Sequence, residues 1–164
     1  MRTKLKDVTN MLFIKDKSIL LGMKKRGFGK GKYNGFGGKL EKNETILQAA
    51  LREAYEESTL VPTAYYKAAI ISFYKPYNMR VHLYICTKWE NTEKETEEML
   101  PKWFSFEKIP YDTMWDDDKY WLPLVLDGKR VRAKFIFNKN VEDEKGIIDN
   151  KCIRYSITTK SKLL

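Results

Sequence analysis

Apolar positions in this chain come in short blocks separated by charge. The blocks "MLFI" (11–14) and "SILLGM" (18–23) flank "KDK", which predicts two strands joined by a tight turn. From Thr45 to about Ser58 the period changes. Leu47, Ala50, Leu51 and Ala54 fall at i, i+3, i+4 and i+7, the apolar stripe of a helix, and Thr45 with Gln48 fits a capping box at its start. "AAIISFY", "RVHLYICTKW" and "KWFSFEKI" are rich in β-branched and aromatic residues and predict further strands. "DDDKYWLPLVLDG" predicts a second helix, with Pro123 in or near its first turn and a stop at Gly128. "RVRAKFIFN" and "KCIRYSITT" predict a terminal pair of strands, and "VEDEKGIIDNK" between them has the character of an insertion. Strands dominate, so the expected class is α+β, a mixed central sheet with helices packed on it. A length of 164 residues favours a single domain spanning 1–164.

Composition narrows the setting. No apolar run reaches the roughly 18 residues that span a bilayer, and the run in the basic N-terminus is too short for a secretory signal. The ending "KSKLL" carries Ser-Lys-Leu one residue too early for a peroxisomal address. Cys86 and Cys152 stand in no metal-binding spacing and read as reduced thiols. The expectation is a cytoplasmic monomer, with nuclear or mitochondrial pools also compatible. Lys and Arg number 31 against 22 Asp and Glu, a net charge of +9 that favours anionic partners. His82, inside a strand, reads as a structural histidine, and Trp103 and Phe104 read as core.

The chemistry concentrates in one stretch. Six of the nine glycines lie between Gly27 and Gly38, and just beyond them come Glu53, Glu56 and Glu57. The glutamates stand at i, i+3 and i+4, so they are neighbours near a helix C-terminus, where both mutual repulsion and the helix dipole oppose them. They are expected on a different face from the apolar stripe. A hard divalent cation resolves such a cluster: Mg²⁺ takes oxygen ligands and sits between carboxylates and substrate phosphates. Glycines ahead of them permit positive φ and close approach of backbone to a ligand. Two other phosphate loops are excluded. A P-loop needs glycine at Tyr33 and Ser or Thr at Leu40, and the dinucleotide fingerprint needs glycine at Leu40.

The stretch resembles the Nudix box, G-x5-E-x7-R-E-U-x-E-E-x-G-U, where U is aliphatic. Gly38, Glu44, Arg52, Glu53, Ala54, Glu56, Glu57 and Leu60 occupy its positions, and Thr59 stands where the pattern has glycine. That glycine belongs to a left-handed helix cap. Asn43, the most tolerant alternative to glycine at positive φ, occupies another common glycine site. "LLGMKKRGFGKGKYNGFGGK" and "MWDDDKYWLPL" are similar to the branch of the family that hydrolyses oxidised purine nucleoside triphosphates such as 8-oxo-dGTP and 2-hydroxy-dATP. The similarity covers about residues 9–137.

The resemblance implies an α/β/α sandwich and Mg²⁺-dependent hydrolysis to monophosphate and pyrophosphate, with Mn²⁺ able to substitute. By it, Gly37 (through its carbonyl), Glu53, Glu56 and Glu57 bind the metal, with Glu98 as a further ligand or base. Arg52 and Glu44 orient the glutamates, and Lys24 meets the phosphates or the nucleotide edge. Thr9, Phe28, Asn34, Phe73, Met79, Trp115, Asp117, Asp118 and Trp121 surround the base, and Phe36, Gly37, Gly38 and Lys39 also contact substrate. Tyr33 and Asp116 replace a Trp and a Pro of that branch; Asp116 is expected to cap or face solvent. Two adjacent carboxylates do not both ionise easily, so Asp117 and Asp118 can share a proton and both donate and accept. The small-molecule reading predicts no stable nucleic-acid complex and no membrane partner. The competing readings are a Nudix hydrolase of RNA caps or dinucleoside polyphosphates, and a basic nucleic-acid-binding module built on "KKRGFGKGK" with Phe28 as a stacking platform.

Overall fold

A computed structural model of the chain describes residues 2–138, 141–142 and 148–160. Strand β1 (Lys6–Lys15) turns at Asp16 and Lys17 into β2 (Ser18–Lys24). Both turn residues have positive φ, 50° and 58°, the backbone of a two-residue hairpin turn. A short β3 (Tyr33–Asn34) precedes helix α1 (Ile46–Ser58). Then follow β4 (Val61–Phe73), β5 (Met79–Glu90) and β6 (Met99–Ser105). Helix α2 (Asp118–Leu126) leads to β7 (Arg130–Phe137), and β8 (Val141–Glu142), β9 (Ile148–Asp149) and β10 (Cys152–Lys160) complete the described chain.

The main sheet runs β10-β7-β4-β5-β1-β2-β3, with β6 also on β2. β1 is parallel to β5 and β4 is parallel to β7, while the other pairs are antiparallel, so the sheet is mixed as expected. The predicted terminal pair forms: β7 and β10 are antiparallel neighbours. Among the described residues β8 and β9 pair with each other and not with the main sheet, which sets the predicted insertion apart from it; residues 143–147 lie outside the described residues.

Alternation along β1 sends side chains to opposite faces. Met11 and Phe13 join a core under α1, with Leu20, Phe36, Ala50, Ala54, Leu60 and Tyr84. Leu12 joins a second core under α2, with Ile71, Leu83, Leu122, Val125 and Phe135. The two layers give the α/β/α sandwich.

α1 buries most of its predicted stripe: Ala50 and Ala54 are core and Leu51 packs against them. Leu47 is exposed, and the buried positions are Ala49, Ala50, Ala54, Glu57 and Ser58. Glu57 therefore lies on the packed face, not opposite it. Alanines there let the helix approach the sheet closely, and Glu57 is carried inward with them. The capping box of Thr45 and Gln48 is formed in full. Thr59 ends the helix at φ 66°, the left-handed conformation that glycine would adopt, and Asn43 takes φ 65°. Pro123 sits in the second turn of α2, later than the pattern suggested, and Gly128 follows the helix at φ 85°.

His82 is structural. It is 5% exposed, and its ring nitrogens meet Asp7 Oδ1 and Lys67 Nζ, both at 2.8 Å. Burial lowers its pKa and holds the ring neutral.

Candidate active site

β1 and β2 pair only from Phe13 to Lys15, then diverge. Residues 33–39 fill the gap: Tyr33 and Asn34 pair with Met23 and Gly22 of β2, while Phe36 and Lys39 bridge to Met11 and Val8 of β1. This wedge places two glycines against the helix. A Cβ on Gly37 would overlap the main-chain carbonyl of Thr9, and one on Gly38 would lie 2.6 Å from Glu53 Oε1. Pliable backbone stands before the glutamates because nothing bulkier fits between β1 and α1. The positive-φ glycines are others, Gly27, Gly29 and Gly31 in the preceding loop. Thr9 fastens the turn. Its N–H donates to the Gly38 carbonyl at 2.9 Å, and its hydroxyl also bonds Gly38.

The glutamates take different environments. Glu57 Oε1 accepts the Gly37 N–H at 2.9 Å, and the residue is 5% exposed. Burial pushes its pKa up to about 7, with Glu53 and Glu98 adding to the rise and Lys24 opposing it. Glu53 is also raised by burial, against the pull of Arg52. Glu56 is the most exposed of the three. Arg52 organises them: its Nη1 donates to Glu53 at 3.0 Å and Glu56 at 3.1 Å. Its Nε and Nη2 grip Glu44 at 2.7 and 2.9 Å, and Nη2 also reaches the Lys39 carbonyl. The fork holds Glu44 down to about 2. Arg52 thus offsets part of the repulsion that the sequence pattern implied. Glu98 is clasped by Lys24 at 3.1 Å and Arg26 at 3.0 Å.

A cavity of about 330 Å³ opens beside this acidic edge. Glu57, Lys24, Gly37, Gly38, Lys39 and Thr9 line it. So do Asn34, Asp117, Asp118, Trp121, Trp115, Phe28, Phe73 and Met79. Asp117 Oδ2 accepts from the Trp121 indole at 2.7 Å, and makes no cap bond to the helix. Both carboxyls are buried, and burial raises both pKa values; Asp117 raises Asp118 further, so the pair retains a proton. Asn34 donates to the Lys32 carbonyl and lines the cavity. Phe28 stacks on Trp115 with ring centroids 5.1 Å apart.

Two expectations fail. Phe36 is fully buried under α1, edge-on to Phe13, and does not face the cavity. Asp116 neither caps α2 nor faces solvent. It accepts from the Cys152 N–H at 2.8 Å and pairs with Lys119, tying α2 to β10. Conversely, Asn10, Tyr77 and Phe137 line the cavity without having been singled out. Asn10 could have been found, as a polar residue two positions before Leu12 on an apolar strand. Tyr77 lies in a turn and gave no signal; its ring meets Phe28, Phe73, Trp115 and Phe137 edge-on.

Residues 4–125 match the NUDIX domain model. The chain belongs to the Nudix family. It is 44% identical over 132 residues to the oxidized purine nucleoside triphosphate hydrolase of Mus musculus, covering 79% of this chain and 85% of the relative. The protein of the same name from Danio rerio is 45% identical over 133 residues, with the same coverage. The crystal structure of the mutator protein MutT from Bacillus halodurans superposes with a TM-score of 0.74 at 22% identity, covering 93% of this chain and 97% of that one. That structure shares the Nudix fold.

The Nudix helix offers a divalent cation a suitable donor set. Hard carboxylate oxygens of Glu53 and Glu57 lie against consecutive glycines, and among the described residues the buried Glu57 has no salt-bridge partner. The oxygen chemistry fits, but the side chains are not gathered around one point: among the described residues no three acidic, His or Cys side chains converge as a metal cluster. Arg52 and the Lys24–Arg26 pair hold Glu53, Glu56 and Glu98 in ion pairs.

Proposed function

We propose that this chain hydrolyses oxidised purine nucleoside triphosphates to monophosphate and pyrophosphate, acting on the free nucleotide pool. The observation that carries the reading is one cavity whose lining combines a glycine turn with Glu57 and Lys24 and a set of aromatic, amide and carboxyl side chains. The first matches a triphosphate with its cation and the second matches a purine. The relatives' names point the same way.

In this reading the Gly37 carbonyl, Glu53, Glu56 and Glu57 hold Mg²⁺ or Mn²⁺, with Glu98 assisting. The bound cation supplies charge neutralisation at the phosphates and an acidified water. Glu57, which lines the cavity, accepts a proton from the attacking water, and Glu56, exposed one turn from Arg52, shares that chemistry. Arg52 and Glu44 keep the carboxylates oriented. Lys24 meets the phosphates, and Thr9 holds the Gly38 backbone that they approach. Around the base, the stacked Trp115 and Phe28 rings offer it an aromatic face, and the protonated Asp pair with Asn34 reads its edge. A deprotonated carboxylate only accepts, so the shared proton provides the donor. Attack falls at the β-phosphorus. The free thiols Cys86 and Cys152 suit a reducing cytoplasm, and a monomer suffices for the site.

The test is a turnover panel of 8-oxo-dGTP, 2-hydroxy-dATP, unmodified triphosphates, dinucleoside polyphosphates and capped RNA, with and without Mg²⁺. Cation-dependent pyrophosphate release from oxidised purines, exceeding that from dGTP and dATP, supports the proposal. Preference for capped RNA or dinucleoside polyphosphates overturns it.

A further inference from the structure

β1 passes along the cavity floor, and Val8, Asn10 and Leu12 project to the same face. Leu12 is core, and the lateral neighbour of Asn10 across the ladder is Leu83, also core. Asn10 is an amide in an apolar row. Its Oδ1 is buried against Gly35 and has no hydrogen-bond partner. A Cβ on Gly35 would collide with that oxygen, so glycine at 35 is what lets the amide lie there. An unpaired buried amide costs stability that an isosteric leucine would not. Such a residue is retained at a functional site more readily than in plain core. Its surroundings say what it serves. Asn10 lines the main cavity and also an adjoining space of about 20 Å³, and it shares both with Asn34, Gly35 and Asp118. Asn34 and Asp118 are assigned above to the edge of the base, and the adjoining space has room for one water.

We propose that Asn10 is a further base-reading residue, whose amide hydrogen-bonds the purine edge from the cavity floor beside Asn34 and Asp118. The inference rests on the nucleotide-hydrolase reading above. An amide offers donor and acceptor at every pH, whereas the donor of the Asp pair depends on a retained proton. Asn10 therefore broadens the set of oxidised edges the cavity accepts.

The test compares wild type with Asn10→Leu and Asn10→Ser. Asn10→Leu should fold with an unchanged or higher Tm, because it removes an unpaired amide. Its kcat/KM for the preferred oxidised triphosphate should fall about 3- to 10-fold, mainly through KM, as for one lost hydrogen bond. The ranking of 8-oxo-dGTP against 2-hydroxy-dATP should change. Calorimetric affinity for the corresponding oxidised monophosphate, measured without metal, should weaken by a similar factor in both variants, so the Ser variant decides should Leu not fold. Unchanged ranking and unchanged monophosphate affinity, in an otherwise active enzyme, overturn the role of Asn10 alone. A wild type inactive on every oxidised purine overturns the hydrolase reading and this inference with it.

Discussion

Arg52 shows how one side chain sets the state of several others. Its guanidinium spends all three nitrogens on carboxylates or carbonyl, gripping Glu44 through two of them and reaching Glu53 and Glu56 through the third. Lysine is a point charge and cannot reproduce that fork. Arg52→Lys should therefore lower kcat/KM by roughly 10- to 100-fold, as for other groups that orient metal ligands. Arg52→Ala should also lower stability by about 2 kcal/mol, since charged hydrogen bonds at a half-buried group are lost. Steady-state kinetics and urea unfolding check the two halves separately. Glu57→Gln removes a buried carboxylate while keeping the side chain's shape and its acceptor for the Gly37 N–H. It should abolish most turnover, a loss of at least about 100-fold, with the fold intact by circular dichroism. At this scale the sequence was legible where spacing carries the message. Arg52, Glu53, Glu56 and Glu57 were all singled out by position on the box, and the structure brings Glu53 and Glu57 against the glycine turn. Phe36 was misjudged because a one-dimensional pattern does not tell which face of a bridge residue points to the core. Asn10 was missed because its meaning depends on Gly35 and Asp118, which are distant in the chain.

At the scale of elements, the helix end departs from the family pattern in residue type but not in shape. Thr59 adopts φ 66°, its N–H bonds the Tyr55 carbonyl, and its hydroxyl donates to the Thr92 carbonyl at 2.8 Å. A β-branched residue in the left-handed region carries strain of about 1–2 kcal/mol. The exposed hydroxyl bond returns only about 0.5 kcal/mol. Thr59→Gly should therefore raise stability by roughly 0.5–1 kcal/mol, read as a Tm higher by about 1–4 °C. A lower Tm would mean that the tie to Thr92 outweighs the strain. Periodicity located the elements because alternation and helical spacing survive in any packed chain. It placed α1 and most of its buried face, Ala50, Leu51 and Ala54, and missed that Glu57 shares that face while Leu47 leaves it. Ala49, Ala50 and Ala54 are small enough to let the helix reach Gly37 and Gly38. The first half of β1 and the short β3 were unreadable. The first apolar block begins at Met11, so residues 6–10 carried no strand signal; there the strand is held by β5 and by residues 36–39.

The whole molecule stores protonation at its cavity, and global stability should report it. The folded state lifts Glu57 from an ordinary 4.5 to about 7, so between those pH values the native chain binds more protons than the unfolded one. Stability then falls as pH rises, and the full change for this buried group is on the order of 3 kcal/mol. The buried Asp117–Asp118 pair acts with the same sign from about 3.8 upward. His82 acts with the opposite sign. Its pKa is lowered, so the unfolded chain takes up the proton first and acid costs stability as pH falls through 6.5. Chemical denaturation of metal-free wild type and Glu57→Gln across pH 4.5–7.5 separates these contributions, because the Asp pair and His82 are common to both. The difference curve should favour the variant increasingly as pH rises from 4.5 to 7, then level off. A divalent cation binds the deprotonated carboxylate, so added Mg²⁺ should stabilise wild type more at pH 7.5 than at pH 5 and leave the variant nearly unchanged. A flat difference curve, or equal Mg²⁺ stabilisation of both proteins, would show that Glu57 neither holds the proton nor receives the ion, and the acidic lining of the cavity would need another owner.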